Sequence, residues 1–373
     1  MSRKGENIYK RKDNRWEARY IKGYNPDGTA KFGYCYAKSY RDVKTKLNEA
    51  KSALMVGKPN PTTKQKRRFS IYCDEWLQTS RYCVKESTYV KYCSTVEKYI
   101  KPHLGGYLVQ SISSVIVCEF SHSLLIEDEL SPKTVRDILT VLHSIIKYTS
   151  RNFTEYMQPI DIVYPKIPKN EIRVLSKEEQ TRFVEYLLND MDECKLGVLL
   201  ALFTGMRIGE VCALRWSNVL LSEKIIQVDC TMQRLKNIES DSPYKTKIVI
   251  SDPKSNSSAR VIPITDYICK LCKTKLVNSS AAFLLTGEED RFIEPRTLQY
   301  RLEKYTNDCG LDGVHFHTLR HTFATRCVEV DFEIKSLSEI LGHSNPRITL
   351  ERYVHSSLEL KRNNMDKLST IGF

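Results

Sequence analysis

The spacing of apolar and polar residues divides the chain into a short β-rich beginning and a long helical remainder. Between 8 and 40, two short runs rich in aromatic residues, 15–20 and 32–36, lie on either side of Asn-Pro-Asp-Gly at 25–28. Runs of this kind around a turn sequence are typical of strands, and a helix is expected at 41–55. The pattern predicts a three-stranded sheet backed by one helix.

A helical region follows, from 69 to 153. Residues 87–99 are expected to form a helix that ends before Pro102. Ser131 and Pro132 supply an N-cap and a proline at the first helical position, which indicates the start of a long helix.

The C-terminal half mixes helical and strand patterns. Ser176 and Glu179 have the spacing of a capping box. The apolar run 196–203 predicts a buried helix, whereas β-branched patterns at 225–232 and 247–264 predict strands.

We therefore expect a multidomain, mainly α-helical protein with small β-sheets. Polar stretches that contain proline are typical of linkers, and two of them mark the expected boundaries. The expected order is a three-stranded sheet plus helix at 1–57, a basic linker at 58–68, a helical domain at 69–157, a linker at 158–170 and a mixed α+β domain at 171–373.

Positive charge is concentrated near the N-terminus. The chain of 373 residues has a formal net charge of +13, and residues 1–68 hold 19 Lys and Arg against 6 Asp and Glu. The remaining residues hold 39 of the 58 basic and 39 of the 45 acidic residues, so they add no net charge. Such a concentration is typical of a surface that binds nucleic acid. A solubilising basic tail is the alternative.

The cysteines indicate a reducing compartment. Twelve are scattered along the chain, and no signal peptide is recognisable at the N-terminus. The close pair Cys269 and Cys272 has no second pair or nearby His, so no metal site is expected. No apolar run approaches the roughly 20 residues that span a bilayer. We expect a soluble, cytoplasmic protein that does not bind membranes.

Candidate chemistry appears near the C-terminus. On a helix, His317 and Arg320 lie one turn apart on one face. Gly342 is a typical helix stop, so His343 should lie at a helix end, ten residues before Tyr353. Arg binds phosphate oxygens, His exchanges protons near neutral pH and Tyr can act as a nucleophile. The combination suits attack on a phosphodiester.

These residues, with Thr-Gly-Met-Arg-Ile-Gly-Glu at 204–210 and Leu-Arg-Trp at 214–216, resemble the tyrosine recombinase (phage integrase) family, in particular integrases of phages and conjugative transposons. The resemblance implies DNA strand transfer through a 3′-phosphotyrosyl intermediate, without a metal or other cofactor. The catalytic residues that it implies are Arg207, Lys254, His317, Arg320, His343 and the nucleophile Tyr353.

The resemblance also implies a role for each residue. Arg207 and Arg320 would hold the nonbridging phosphate oxygens. Lys254 would protonate the leaving 5′-oxygen, His317 would handle the tyrosine proton, and His343 would hydrogen-bond the phosphate.

Several nearby residues are alternatives to the catalytic lysine or are expected to have structural roles. Lys245 and Lys247 are alternatives to the lysine of the catalytic set, whereas His321 and His355 are expected to be structural. The role of the insert at 233–251 is open.

Two further resemblances concern DNA binding. Residues 1–57 resemble the arm-binding domains of integrases, which lay a sheet in the major groove; a domain for protein contacts is the alternative. Residues 69–157 resemble the core-binding domain of the family. The candidate DNA-contacting residues are Arg15, Arg19, Lys22, Lys85 and Lys133.

We expect a site-specific recombinase that integrates and excises a mobile element. It would act as a homotetramer on two duplexes carrying attachment sites, in association with the nucleoid. A DNA-bending host factor and an excisionase are candidate accessory partners. The alternatives are a type IB topoisomerase-like enzyme, which shares the chemistry, and a catalytically silent DNA-binding regulator.

Overall fold

The computed structural model describes residues 7–24, 30–55, 67–152, 159–168, 172–238, 243–252 and 258–353. Contacts between residues divide the chain into two compact units, Met1–Cys83 with Tyr92–Pro165 and Val84–Lys91 with Lys166–Phe373. Of the features singled out in the sequence, the turn at 25–28, Lys254 and His355 lie outside the described residues.

The N-terminal part is the predicted three-stranded sheet with one helix packed against it. The antiparallel strands are β1 (Ile8–Lys10), β2 (Trp16–Tyr24) and β3 (Ala30–Ala37), in that order across the sheet. Helix α1 (Tyr40–Met55) packs on the sheet. The core draws on both layers and consists of Ile8, Ala18, Tyr20, Cys35, Val43, Leu47 and Ala50.

The next part is helical, as its apolar pattern predicts. Its elements are α2 (Phe69–Ser80), α3 (Glu86–Thr95), α4 (Lys101–Leu104), α5 (Ser114–Ile126) and α6 (Pro132–Asn152). The N-cap predicted for α6 is confirmed, because Ser131 Oγ accepts a hydrogen bond from the backbone N–H of Thr134 (3.2 Å).

The helix before Pro102 continues beyond the point where the proline was expected to end it. After α3 the chain makes a wider π-helical turn at Val96–Ile100 and passes directly into α4. Pro102 lies in the first turn of α4, where a missing backbone N–H is tolerated. The expected helix end was therefore wrong, because the wider turn changes the hydrogen-bond spacing ahead of the proline.

The second unit is organised around one buried helix. Its helices are α7 (Lys177–Leu188), α8 (Glu193–Thr204), α9 (Ile208–Ala213), α10 (Asp266–Lys273), α11 (Pro295–Asp308), α12 (Phe316–Glu329), α13 (Ile334–Leu341) and α14 (Pro346–Tyr353). The predicted apolar helix is α8, which is buried along most of its length and packs against α7, α11 and α12. None of the helices in the described ranges has the length and apolarity needed to cross a bilayer.

Helix α7 begins with the predicted capping box. Ser176 Oγ accepts from the backbone N–H of Glu179 (3.1 Å), and the Glu179 carboxylate accepts from the backbone N–H of Ser176 (2.8 Å). The reciprocal bonds satisfy two N–H groups that lack partners within the helix.

Within the described residues, the strands of this unit form two separate small sheets. One contains β4 (Val219–Leu220), β5 (Ile225–Val228) and β8 (Arg260–Pro263), and the other contains β6 (Thr231–Lys236) and β7 (Thr246–Ser251). The strand pattern at 247–264 thus divides between two sheets. Pairing partners that are distant in sequence set this division, and alternation along one strand does not reveal them.

Candidate active site

A helix break at Gly205 separates α8 from α9, which Arg207 precedes as the N-cap. Gly205 adopts φ +67°, and a Cβ there would lie 2.6 Å from Phe323 Cδ1 and 2.8 Å from Leu341 Cδ2. Both the conformation and the space therefore favour glycine. Arg207 takes the N-cap position of α9, with 33% of its side chain exposed. Its charge is fixed at the helix start but still reaches the surface.

The buried carboxylate of Glu210 holds two arginines. Its Oε1 accepts from Arg207 Nη1 (2.7 Å), and its Oε2 accepts from Arg260 Nη2 (2.8 Å). The side chain of Arg260, the first residue of β8, is 4% exposed. Burial opposes ionisation of Glu210, but the hydrogen bonds and charges of Arg260 and Arg207 outweigh burial and lower its pKa. The carboxylate is therefore charged and orients both guanidinium groups.

Three arginines from different elements meet the C-terminal end of α13. The pairs are Arg260 Nε with the carbonyl of Ile340 (2.5 Å), Arg320 Nη2 with that of Leu341 (2.5 Å) and Arg207 Nη2 with that of Gly342 (3.3 Å). The last carbonyls of a helix lack partners within the helix. The arginines therefore cap α13, and because the acceptors are consecutive, the guanidinium groups are brought close together.

Arg320 is enclosed by carbonyls and other cations. The residue is 4% exposed, and its Nη1 donates to the carbonyl of Gly205 (2.8 Å). Burial and the charges of Arg207 and Arg260 lower the pKa of Arg320 to about 9. The guanidinium has more N–H groups than these carbonyls occupy. An anion placed here would relieve the repulsion between the guanidinium groups and accept hydrogen bonds from the remaining N–H groups.

His343 lies just beyond the helix end that Gly342 predicts. Gly342 adopts φ +65°, the left-handed conformation that ends many helices. The imidazole Nδ1 lies 2.8 Å from the hydroxyl of the buried Thr349 in α14. Burial and the charges of Arg320 and Arg207 lower the pKa of His343 to about 4. The imidazole is therefore neutral at physiological pH.

Tyr353 is the last residue of α14 and is 6% exposed. Its hydroxyl lies 2.7 Å from Nδ1 of His321 in α12. Burial raises the pKa of Tyr353, while the charges of Arg320, Arg352 and Arg207 act in the opposite direction. The phenol is thus protonated at rest, but its ionised form would lie in a positive field.

His317 belongs to the same electrostatic environment. His317 is exposed at the surface, yet desolvation by the surrounding protein and the charges of Arg320 and Arg207 lower its pKa. The structure therefore gathers most of the predicted catalytic residues in one cluster, namely Arg207, His317, Arg320, His343 and Tyr353. The remaining member, Lys254, lies outside the described residues.

The candidate DNA-contacting residues lie elsewhere. The exposed candidates are Arg15, Arg19, Lys22, Lys85 and Lys133. The Arg19 guanidinium lies over the exposed ring of Phe32, 4.2 Å from its centroid. Because side chains alternate along β2, Arg19 points away from the face that buries Ala18 and Tyr20. The open face of this sheet therefore combines basic and aromatic groups.

Comparison with known proteins shows which protein family has this site. Residues 173–359 match the phage integrase family, and residues 68–125 match the N-terminal SAM-like domain of phage integrases. The chain belongs to the phage integrase family. It is 28% identical over 320 residues to a tyrosine recombinase XerC-like protein of Caldanaerobacter subterraneus subsp. tengcongensis, which covers 79% of this chain and 81% of that relative.

Solved integrase structures have the same fold. The Tn1549 transposon integrase in complex with a circular intermediate DNA matches with a TM-score of 0.69 and 19% identity, over 81% of this chain and 99% of that one. A lambda integrase tetramer bound to a Holliday junction matches with a TM-score of 0.57 and 16% identity, over 95% and 97% of the two chains. The expected multidomain, mainly helical fold with small sheets is confirmed. As a phage integrase family member, the protein is a tyrosine-type site-specific DNA recombinase.

Sequence reasoning missed contacts that hold this phage integrase site together. It gave no role to Arg260 or Thr349, and it treated His321 as merely structural. The spacing of His317 and His321, four residues apart, predicted that both lie on one face of α12, but it did not predict the contact between His321 and Tyr353. Arg260 offered no such signal, since its partners lie on α9 and α13.

Proposed function

We propose that Tyr353 is the nucleophile of this recombinase and forms a transient 3′-phosphotyrosyl bond with DNA, by which a mobile element is integrated and excised. The observation that carries the proposal is the set of arginines at the end of α13, with the Tyr353 hydroxyl in their positive field. Cationic donors that are fixed before the reaction stabilise charge that develops in the transition state. Membership of the phage integrase family supports the role in element transfer.

In the proposed cleavage step, Tyr353 Oη attacks the scissile phosphorus. The Oη–P bond forms, the P–O5′ bond breaks, and the leaving oxygen takes a proton from Lys254. The tyrosine proton passes to an imidazole, a role that the family resemblance gives to His317. Arg207 and Arg320 bind the nonbridging oxygens, and each arginine in a phosphoryl-transfer site can contribute on the order of 10³-fold or more to the rate.

Rejoining reverses this step without an energy source. The phosphotyrosyl link retains the energy of the broken phosphodiester, so a 5′-hydroxyl from a partner strand can attack it and release Tyr353. His343 hydrogen-bonds the phosphate throughout. No cofactor enters the proposed steps.

The proposal extends to DNA binding and assembly. It assigns residues 1–57 to arm-type sites, 69–157 to the core site and 171–373 to catalysis, with linkers at 58–68 and 158–170. Arg15, Arg19, Lys22, Lys85 and Lys133 are the proposed phosphate contacts. The recombinase would work in the cytoplasm, at the nucleoid, as a homotetramer on two duplexes. A DNA-bending host factor and an excisionase would complete the complex.

Covalent capture tests the proposal. The protein is incubated with nicked duplexes of random sequence and denatured in detergent, and the DNA that remains attached is sequenced. We expect an adduct with an enriched sequence motif, and no adduct with Tyr353→Phe. An adduct without sequence preference would favour a topoisomerase. DNA binding without any adduct would favour a silent regulator.

A further inference from the structure

His321 contacts the hydroxyl of the proposed nucleophile. Its Nδ1 lies 2.7 Å from Tyr353 Oη, and the two ring centroids are 5.6 Å apart. The contact joins α12 to α14 and is partly buried, so water competes with it less than at the surface. The roles assigned above do not use His321.

The surroundings keep His321 neutral. Burial and the charges of His317, Arg352 and Arg320 lower the pKa of His321 to about 4. A neutral imidazole has one accepting and one donating nitrogen, and the phenol of Tyr353 is a natural donor. With Nδ1 as the acceptor, His321 carries its proton on Nε2 and can receive a second one.

We propose that His321 positions the hydroxyl of Tyr353 and accepts its proton during cleavage, in place of His317. The inference rests on the proposed function, since it needs Tyr353 as the nucleophile. As the Oη–P bond forms and the P–O5′ bond breaks, the Oη proton moves to Nδ1 and gives an imidazolium, while O5′ takes a proton from Lys254. On rejoining, the O5′–P bond forms and the Oη–P bond breaks; the proton of the attacking 5′-hydroxyl goes to the neutral Lys254, and the imidazolium returns its proton to the departing phenolate.

The phosphate makes this transfer feasible. In the protein alone, an imidazolium at His321 would lie near Arg320, Arg352 and His317, which disfavour further positive charge. A phosphodiester brings negative charge into the same site, and nearby negative charge favours the protonated form of a histidine. His321 therefore becomes a stronger base when its substrate is bound.

Two substitutions separate the positioning role from the proton-accepting role. His321→Asn keeps a hydrogen-bond acceptor near the place of Nδ1 but cannot take up a proton, whereas His321→Ala removes both functions. His122→Asn, at an exposed position of α5, is the matched control. Single-turnover cleavage is measured on a nicked duplex that carries the captured motif. We expect a fall of about 100-fold or more with His321→Asn, unchanged DNA affinity, and no change with His122→Asn.

A modified tyrosine and a modified substrate identify which proton transfer the His321→Asn substitution impairs. A ring-fluorinated tyrosine at position 353 has a more acidic phenol and depends less on a base. It should therefore restore the cleavage rate of the His321→Asn variant but not that of the Arg320→Ala variant. A substrate with sulfur in place of the leaving 5′-oxygen needs no protonation of that atom. This substrate should therefore restore the cleavage rate of the Lys254→Ala variant but not that of the His321→Asn variant.

The outcomes distinguish this inference from the proposed function. Wild-type cleavage rates in His321→Asn, or failure of the fluorinated tyrosine to restore that variant, would overturn the inference and leave the nucleophile assignment standing. If His321→Asn does not fold, as judged by thermal unfolding, His321→Gln takes its place in both assays. If wild type itself forms no adduct that depends on Tyr353, the proposed function and the inference both fail.

Discussion

Single residues set the charge balance of the candidate site. Arg207, Arg260 and Arg320 lie close enough for the first two to lower the pKa of the third, and the buried carboxylate of Glu210 offsets part of their charge. The cluster therefore keeps a positive excess that suits a phosphodiester. Glu210 sets how large that excess is and where two of the guanidinium groups point.

Glu210→Gln should destabilise the protein and slow cleavage. The amide removes the charge that compensates the buried Arg260, and breaking a buried ion pair costs roughly 3–5 kcal/mol. Urea unfolding and the rate of covalent-complex formation measure the two effects. Glu185→Gln, at an exposed position of α7, is the control and should leave both unchanged. A Glu210→Gln protein of wild-type stability would show that the carboxylate is dispensable for Arg260.

The half-buried imidazoles of His321 and His343 should make stability depend on pH. The pKa values of His321 and His343 are lowered from 6.5 to about 4 in the folded state. Below pH 6.5 the unfolded chain therefore takes up protons that the folded chain does not, and stability falls as the pH decreases towards 4. We expect the melting temperature to drop by a few degrees between neutral pH and about pH 5.5. His321→Gln combined with His343→Gln should flatten this dependence; an equal slope in that variant would contradict the assignment.

At the scale of elements, the site depends on how helices begin and end. Gly205 caps the end of α8, Arg207 caps the start of α9 and Gly342 caps the end of α13, so the cationic groups gather at helix ends. The position of α9 is further fixed by its close approach to β6. A Cβ on Gly209 would lie 2.5 Å from Thr231 Oγ1 and 2.6 Å from the carbonyl of Met232.

Gly209→Ala should shift α9 and, with it, Arg207. The added methyl group overlaps backbone and side-chain atoms of β6, and overpacking of this kind typically costs about 1–3 kcal/mol. A small displacement of a positioning group can slow a reaction about 100-fold. Thermal unfolding and single-turnover cleavage provide the measurements. Gly106→Ala is the matched control, since a Cβ there meets nothing within 4 Å. Equal activity of the two variants would show that α9 tolerates the shift.

Elements governed by local chemistry could be predicted from the sequence. The capping box at Ser176, the start of α6 after Ser131 and the stop at Gly342 each depend on a few neighbouring residues. Features that depend on distant partners could not be predicted. The separation of β7 from β8 and the ties from Arg260 to Glu210 and Ile340 depend on which elements pack together. The contact between α12 and α14 through His321 is of the same kind.

At the scale of the whole molecule, net charge and chemistry occupy different parts of the sequence. Residues 1–68 account for the entire net charge of +13, whereas the candidate catalytic residues lie in a region without net charge. Mutations should therefore be able to change the overall affinity for DNA without changing the rate of strand cleavage, and the reverse. Substitutions in the first region should change binding, and those in the second should change chemistry.

Replacing Arg19 and Lys22 with Gln should weaken the salt dependence of DNA binding. For every phosphate that the protein no longer neutralises, the slope of log K against log salt should become shallower by about 0.9. Fluorescence titrations of one duplex at several salt concentrations give the slope. Lys304→Gln, at an exposed position of α11, serves as the control. An unchanged slope in the double variant would remove these residues from the DNA interface.

The arginine cap on α13 also affects which residue a family member can change first when it loses recombination activity. Because Arg207, Arg260 and Arg320 complete the hydrogen bonding of a helix end, replacing any of them damages the fold together with the chemistry. The proposed nucleophile Tyr353 does not cap a helix: phenylalanine fills the same space and gives up only the contacts of the hydroxyl with His321 and Arg352. Descendants that keep DNA binding but abandon recombination should therefore have changed the tyrosine first and kept the arginines. Aligned sequences of silent relatives would record that order of loss.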